Sequence, residues 1–515
     1  MAPFKPDELP AGTPPGFDDE TSSRVWVPLY SHDCTFGPDL FVDKMMNLVR
    51  NPNLNSSWLF RADILYDREG DQDESNQGGS DQDGCNDANA SDIANTHVRP
   101  LPRRIRAMPR QRSLVRRLIP RNRRRDAPLD QTCTFHRGPT TNLVIYAPHV
   151  TAAAHLPFYH PAVRAVGHLH RWDPVRALGS VSVLVLPFDD DDDDDDKLPI
   201  KVRRTAYHLL ELLHKHGQSS AAGYVKRVHH DRIVPQARLQ NRYAALKDKY
   251  ARRLVESWAE STDPLKHVFE DLAIAAFLIE LWADMYADDD DGHDATGPPR
   301  RFPGFVDIGC GNGLLVYVLH QEGYPGWGFD ARTRKSWNRF RLAAPDLRLE
   351  CRLLLPAAVS RMEPGAMDDG PDVRLFHDGS FPPGTFIISN HADELTAWTP
   401  ILAAASRSPF IAIPCCSHNL AGDRFRAPPP KRAPDGARST YASLVDWVAR
   451  IAVDCGWEVE TEMLRIPSTR NTCLLARRRL DGQVDVDSVV DKFGGVKGYS
   501  ANVVRLLKSD PSFSH

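Results

Sequence analysis

In the second half of the chain, one segment changes the spacing of its apolar positions twice. A short apolar run at 305–308 is typical of a buried strand, and glycine occupies every second position from 309 to 313. Apolar residues then recur with helical spacing over 314–319, and another short run, 326–329, ends at Asp330. The pattern predicts a strand, a tight turn, a helix and a second strand, in that order.

The residues that follow continue this alternation. Apolar runs predict further strands, the last two as a closing pair, and helical patterns fall between them. The strands are expected at 347–355, 385–389, 409–413, 457–466 and 472–477, and the helices at 395–405 and 441–455. Alternating strands and helices predict a Rossmann-like, doubly wound α/β domain, in which a ligand binds beyond the carboxyl ends of the strands.

The glycine spacing indicates which ligand this domain holds. A dinucleotide fingerprint, G-x-G-x-x-G, would need glycine at Leu314 or Val316. The pattern is D-x-G-x-G-x-G, which resembles the class I S-adenosylmethionine methyltransferases. A glycine-rich turn without a ligand would not need a second strand that ends in an acid. The cofactor contacts that this resemblance implies are Asp307, Gly309, Gly311 and Gly313 for the methionine half and Asp330 for the ribose.

Polar residues are densest after the predicted strand 385–389, in Asn390-His391-Ala392-Asp393-Glu394. A hydroxyl that accepts a methyl group must lose its proton, so a carboxylate or imidazole beside the methyl is a candidate base. Asp393 and Glu394 are candidates for this role, although either could instead cap the next helix. His391 is a further catalytic candidate, more typical of a hydrogen-bonded structural residue, and Asn390 is a candidate cofactor contact. A metal held by His391, Asp393 and Glu394 would lack a second ligand cluster, so we expect no metal.

One more acid, Asp378, precedes the predicted strand 385–389. Methyltransferases often place an acid here on the adenine amino group, and we favour that contact for Asp378. An aspartate directly before a glycine, here Gly379, is also typical of a plain turn.

Two upstream segments are strongly basic, although the net charge of the whole chain is only −4. Residues 101–125 contain eleven arginines and no acid, and residues 201–253 contain thirteen Lys or Arg against three acids. Such patches indicate a polyanionic partner, because cations bound to phosphates release counterions; a solvated helical face is the alternative. The candidate RNA contacts are Arg238, Arg242, Lys247 and Lys249 in the second patch, and Arg332 and Lys335 beside the glycine loop.

Composition also suggests the domain boundaries. Segments without an apolar period, rich in polar residues or in like charges, are expected to stay disordered or form loops. We predict a disordered tail at 1–22, a disordered insertion at 67–95, an acidic loop at 189–196, an RNA-binding basic region at 23–66 and 96–256, a methyltransferase domain at 257–480 and a C-terminal tail at 481–515.

The cysteines and the hydropathy of the chain indicate the redox compartment and whether the chain spans a membrane. The nine cysteines lack C-x-x-C spacing, which indicates a reducing compartment and no zinc site. No apolar run reaches eighteen residues, so we expect no membrane span.

Several motifs elsewhere in the chain point to one family. They are Arg203 to Tyr207, Asn241-Arg242-Tyr243, Thr262 to Asp271, Trp327 to Arg332, Asn390 to Leu395 and Pro414-Cys415-Cys416. With them, the chain from about Trp26 to Arg478 resembles the eukaryotic tRNA (uracil-2′-O)-methyltransferases. The resemblance implies an S-adenosylmethionine-dependent enzyme that methylates the ribose of a uridine in the variable region of serine tRNA in the cytoplasm. It marks no catalytic base, and it leaves open whether an accessory protein helps to select the tRNA.

Two other functions fit parts of the pattern. A protein methyltransferase of the same fold would bind a basic peptide on the acids at 393–394. A non-catalytic tRNA-binding protein would keep the fold as a relic, but the glycines and Asp330 are all present, which disfavours it.

Overall fold

The computed structural model of the chain describes residues 4–70, 98–101, 103–123, 125–188, 198–223, 230–287, 301–364, 375–429, 439–480 and 484–509. The acidic loop predicted at 189–196 and most of the predicted insertion lie outside these residues. The chain divides into two units, Met1–Lys226 and Arg227–His515. Within the described ranges, none of the helices has both the length and the apolar character that crossing a bilayer requires.

The first unit is built on an antiparallel sheet with the strand order β1-β2-β8-β7-β6-β5-β4-β3. Phe41 and Met45 of α1 and Leu210 and Leu213 of α2 are buried in one core with Val144 of the sheet. The elements are β1 Asp7–Glu8, β2 Val27–Cys34, α1 Pro38–Arg50, β3 Leu59–Glu69, β4 Arg110–Pro120, β5 Leu129–Arg137, β6 Thr141–Pro148, β7 Ala165–Asp173, β8 Leu178–Leu186 and α2 Ile200–Ala221.

The predicted disorder at both ends of 23–66 is wrong for the residues that the structure describes. Within the predicted tail, β1 pairs with β2, and Asp19 accepts a hydrogen bond from the Trp26 indole at 3.0 Å. Within the predicted insertion, β3 continues to Glu69, and Arg112 donates to both carboxylate oxygens of Asp67, at 2.6 and 2.8 Å. Both segments are ordered by hydrogen bonds to residues 7 to 45 positions away in the chain, which a local pattern does not reveal.

The arginine-rich segment 101–125 contains a strand, β4, and does not form the solvated helical face that was one alternative for it. Arg117 makes two hydrogen bonds to Asp130 on the neighbouring strand, at 2.7 and 2.9 Å. Arg116 is buried and donates to Gln131 Oε1 and to the Val49 carbonyl, each at 2.6 Å. These arginines therefore stabilise the sheet through hydrogen bonds inside the first unit.

The second unit contains a sheet with the strand order β11-β10-β9-β14-β15-β17-β16, in which β17 runs in the direction opposite to that of the other six strands. Separate apolar clusters, one containing α5 and α6 and the other α9 and α10, cover the sheet, so the doubly wound α/β prediction is confirmed. Its strands are β9 Phe305–Ile308, β10 Gly326–Asp330, β11 Arg348–Cys351, β14 Phe386–Asn390, β15 Phe410–Ile413, β16 Trp457–Met463 and β17 Thr472–Arg479, with β12 Leu353–Leu354 and β13 Phe376–His377 as a separate pair. Its helices are α3 Gln236–Leu246, α4 Arg252–Glu256, α5 Pro264–Met285, α6 Leu314–Gln321, α7 Lys335–Ala343, α8 Ala357–Met362, α9 Thr399–Ser406, α10 Thr440–Asp454, α11 Val486–Lys492 and α12 Tyr499–Ser509.

Two of the predicted boundaries of this unit are wrong. The unit begins near Arg227 and not at 257, because Leu239 of α3 and Leu254 of α4 are buried in the same cluster as α5. The predicted tail 481–515 contains α11 and α12, and Val490 and Val503 of these helices belong to the core that contains Trp447.

Candidate active site

The glycine loop joins β9 to α6 and is held against the end of β10. Gly309, Gly311 and Gly313 have φ angles of +70°, +52° and +74°, a region that L side chains rarely adopt. The Gly311 N–H donates to Asp330 Oδ2 at 2.9 Å, so this carboxylate fixes the loop. A Cβ at Gly311 would meet open space, whereas one at Gly313 would lie 2.8 Å from Leu349 Cδ1. Gly311 thus lines the open side of the loop, and Gly313 is required for packing.

A cavity of about 470 Å³ opens at the carboxyl ends of β9 and β14. Its wall combines the glycine loop, the N-terminal half of α5 and the residues that follow β14 and β15. The structure brings six of the sequence-predicted residues into this wall, namely Asp307, Gly309, Gly311, Asn390, His391 and Asp393. Asp330 reaches it indirectly, through its bond to Gly311.

Two acids of α5, Glu270 and Asp271, also line the cavity, and they were not predicted as site residues. They are only 5% and 8% exposed. Burial, followed by the neighbouring Glu270 carboxylate, raises the pKa of Asp271 to about 8. The sequence feature that could have identified them is an acid pair inside the otherwise apolar α5. The sequence alone, however, does not show that α5 packs at the carboxyl ends of the strands.

Several polar atoms of the cavity wall have no hydrogen-bond partner within the described part of the chain. Asp307 is 1% exposed and its Oδ1 atom is one of these; Asn390 Oδ1 is another, although its Nδ2 donates to Asp271 at 3.3 Å. Burial, and then the charges of Asp271 and Asp330, raise the pKa of Asp307 well above its ordinary value. Unpaired acceptors among buried carboxyls fit a cationic ligand with N–H donors. S-adenosylmethionine, with its ammonium and sulfonium groups, meets both requirements.

We therefore expect binding of S-adenosylmethionine at pH 7 to release about one proton or more. The unliganded Asp271 carboxyl is protonated below about pH 8, and a nearby cation favours its ionised form. Calorimetry in buffers with different ionisation enthalpies measures the release, and Asp271→Asn should remove about one proton from it. A binding enthalpy that is the same in every buffer would contradict this.

The same raised pKa predicts how the stability of the unliganded protein depends on pH. The folded state binds a proton at Asp271 that the unfolded state has lost above about pH 4. The contribution of Asp271 to stability is therefore present below about pH 4 and is lost as the pH rises through about 8.

His391 and Asp393 follow β14 in left-handed backbone conformations, with φ of +53° and +44°. His391 Nε2 lies 3.0 Å from Glu270 Oε1. An ionised carboxylate can only accept, so a neutral His391 ring carries its proton on Nε2 and its lone pair on Nδ1. The Nδ1 atom is covered and, within the described residues, has no partner. Asp393 Oδ1 accepts a hydrogen bond from the Cys415 thiol at 3.0 Å.

The structure does not place two other candidates in the cavity wall. Glu394 lies next to Asp393, but its carboxylate is 3.8 Å from His418 Nε2 and does not line the cavity. Asp378 is exposed after the short strand β13, and its Oδ1 atom accepts the Ser380 N–H at 2.9 Å. Asp378 is therefore a turn residue. The position of the Glu394 carboxylate outside the cavity wall does not support a catalytic role for it.

A metal site at His391, Asp393 and Glu394 is likewise unsupported. Within the described ranges, the ligand atoms that lie within 4.8 Å of one another belong to Asp393, Cys415 and Cys416. Burial, and then the hydrogen bond to Asp393, raise the pKa of the Cys415 thiol in the metal-free protein.

Three of the predicted RNA contacts have partners inside the protein. Arg238 and Arg242 both bond to the nearly buried Glu280 of α5 at 2.8 Å, and Lys249 bonds to Glu322 at 2.8 Å. Each of these cations is paired with a carboxylate that partly neutralises its charge, and the RNA contact of all three stays a prediction. Lys247 lies 5.3 Å from the Phe269 ring centre, and Arg332 and Lys335 are exposed beside the glycine loop.

Comparisons with known proteins cover both units. A family model described as "TRM44-like, N-terminal bet v1-like domain" matches residues 6–227, and one described as "Predicted AdoMet-dependent methyltransferase" matches residues 233–352. The second match begins before 257, in agreement with the division into units.

Fungal proteins named tRNA (uracil-O(2)-)-methyltransferase are similar over almost their full lengths. The protein of Neurospora crassa is 51% identical, with 99% of each chain covered. That of Yarrowia lipolytica is 37% identical, with 97% of this chain and 99% of its own covered, and that of Saccharomyces cerevisiae is 37% identical, with 94% of each covered. Among solved structures, the match to an O-methyltransferase family protein from Burkholderia thailandensis covers 49% of this chain and 76% of that protein. The identity is 12% and the TM-score is 0.23.

Proposed function

The chain belongs to the tRNA (uracil-O(2)-)-methyltransferase family, and from that premise we propose that the cavity beyond β9 and β14 is its active site. The enzyme transfers a methyl group from S-adenosylmethionine to the 2′ oxygen of a tRNA uridine. The finer proposals are that this uridine lies in the variable region of serine tRNA and that the enzyme acts in the cytoplasm.

The cofactor is proposed to occupy the glycine-loop side of the cavity. Gly309 and Gly311 let it approach the backbone, and Asp330 accepts hydrogen bonds from its ribose. Asp307 and Asn390, whose acceptor oxygens lack partners in the described residues, meet its methionine end. When bound, S-adenosylmethionine supplies an electrophilic methyl group beside His391 and Asp393.

His391 is proposed as the general base. In this role Nδ1 of His391, which is covered in the unliganded protein and which a rotation of the ring would expose, would take the proton of the 2′ hydroxyl. Glu270 is a positioning residue, because its bond to Nε2 orients the ring and stabilises the imidazolium that forms. Asp393, also in the cavity wall, would stabilise the imidazolium on His391 by its negative charge.

The observation that carries this proposal is the convergence at one sheet edge of the glycine loop, the unpaired Asp307 oxygen and the His391–Glu270 pair. Parallel strands bring their carboxyl ends together, which supports a methyl donor and a base side by side at this edge. Arg332, in the loop after β10, and Lys335, the first residue of α7, are exposed, and we propose that they contact RNA phosphate.

Purified enzyme, S-adenosylmethionine and an unmodified serine tRNA transcript test the function directly. Nucleoside mass spectrometry should detect 2′-O-methyluridine. A transcript whose variable-region uridines are replaced by cytidine should yield none. Methylation of both transcripts would reject the variable region, and methylation of neither, with methyl transfer to a basic peptide instead, would favour a protein methyltransferase.

A further inference from the structure

Two aromatic side chains of the first unit are exposed and touch each other. Trp58 is 48% and Phe158 40% exposed, and within the described residues no other tryptophan or phenylalanine is more than about a third exposed. Their ring centres are 4.7 Å apart with the planes nearly perpendicular, at 86°. Single exposed apolar residues are ordinary on protein surfaces, but two adjacent large rings leave a patch that a ligand can cover.

Cations surround this aromatic pair. The Arg125 guanidinium carbon is 5.4 Å from the Phe158 ring centre and 6.0 Å from that of Trp58, and Lys201 Nζ is 5.8 Å from Phe158. Arg121 bonds to the carbonyl of Ser57, the residue before Trp58. The Arg125 side chain is 66% exposed, and its ion contact with Asp126 is long, at 3.9 Å. These charges are therefore available to an anion that reaches the rings.

A concave surface continues from the aromatic pair. A cavity of about 750 Å³ is lined by Arg117, Arg125, His149, His155 and Phe158, together with Asp126 and Asp130. The acids do not give it a negative character, because Asp130 is bonded twice to Arg117 and the Asp126 side chain is only 5% exposed. The charge that faces solvent here is positive.

We propose that Trp58, Phe158, Arg125 and Lys201 bind an unpaired stretch of the tRNA. Bases stack on the two rings, and Arg125 and Lys201 neutralise the adjoining phosphates, the combination of aromatic platform and cations that single-stranded nucleic acid requires. The proposal rests on the proposed function in taking tRNA as the ligand. It places an RNA-binding surface in the first unit, at residues other than the candidate contacts Arg238, Arg242, Lys247 and Lys249. Arg125 and Lys201 stand at the ends of the two basic segments, 101–125 and 201–253.

Fluorescence anisotropy with the full chain tests the surface, using a labelled twelve-nucleotide oligouridylate and the serine tRNA transcript as probes. The double variant Trp58→Ala/Phe158→Ala should bind both probes about tenfold or more weakly. Trp58→Phe/Phe158→Tyr, which keeps two stacking rings, should restore most of the affinity. Val175→Ala/Leu178→Ala removes exposed apolar side chains from the same unit, at 93% and 52% exposure, and should bind like the parent.

The salt dependence separates stacking from charge neutralisation. Stacking releases no counterions, so the double alanine variant should keep the parent slope of log Kd against log salt concentration. Arg125→Gln/Lys201→Gln leaves the rings in place and should reduce the slope by about 0.7 for each phosphate that the variant no longer neutralises.

Parent-like affinity of the double alanine variant for both probes would overturn the proposal and leave the patch to a protein or another ligand. Methylation by the parent enzyme reports on the proposed function separately. If the parent methylates no tRNA while oligouridylate affinity still falls in the alanine variant, the RNA surface stands and the assigned reaction fails.

Discussion

Replacing His391 by asparagine lowers single-turnover methylation of tRNA by roughly a hundredfold or more, while the affinity for S-adenosylmethionine stays close to that of the parent. Asparagine removes the basic nitrogen, keeps a polar side chain next to Glu270, and tolerates the φ of +53° at this position. A rapid-quench assay with enzyme in excess measures the rate, and calorimetry measures the cofactor affinity.

The neighbouring acids supply the controls. Asp393→Asn, in the cavity wall, should lower the rate about tenfold because it removes a negative charge that stabilises the imidazolium on His391. Glu394→Gln should methylate like the parent, because this carboxylate lies near His418 and outside the cavity wall. Parent-like rates for His391→Asn together with a hundredfold loss for Asp393→Asn would transfer the role of base to Asp393.

Asp330→Ala weakens S-adenosylmethionine binding by roughly a hundredfold, because it removes the acceptor of two charge-assisted hydrogen bonds from the ribose. The carboxylate also accepts the Gly311 N–H at 2.9 Å and the Arg332 N–H at 3.0 Å, so its removal loosens the loop that the cofactor approaches. Isothermal titration calorimetry measures the change, and affinity for the oligouridylate probe should be unchanged.

Asp378→Ala is the matched control for this prediction. The sequence suggested an adenine contact for Asp378, but the structure places this carboxylate in a turn with Ser380, outside the cavity wall. Its removal should leave the cofactor affinity unaltered. An unchanged affinity in Asp330→Ala, or a large loss in Asp378→Ala, would reverse the assignment of the two acids.

The strands of the second unit were predictable because their signal is local. Parallel strands covered on both faces are continuous apolar runs, and β14 and β15 lie at 386–390 and 410–413, against predictions of 385–389 and 409–413. The sheet of the first unit was not recognised, because its β4 strand carries arginines on what looked like a charged run. Their partners, Asp67 and Asp130, are 45 and 13 residues away in the chain.

The sequence by itself determined which side chains stand at the carboxyl ends of the strands. Asp307, Asp330 and Asn390 follow from the strand pattern, because parallel strands bring those ends to one edge wherever the helices lie. Only the tertiary structure decided which neighbouring groups complete the site. Glu270 meets His391 across 121 residues, and the left-handed backbone at Asp393 accompanies the separation of its carboxylate from that of Glu394. Such contacts depend on how α5 packs against the sheet and on single backbone angles. Neither of these produces a periodic pattern of apolar residues in the sequence.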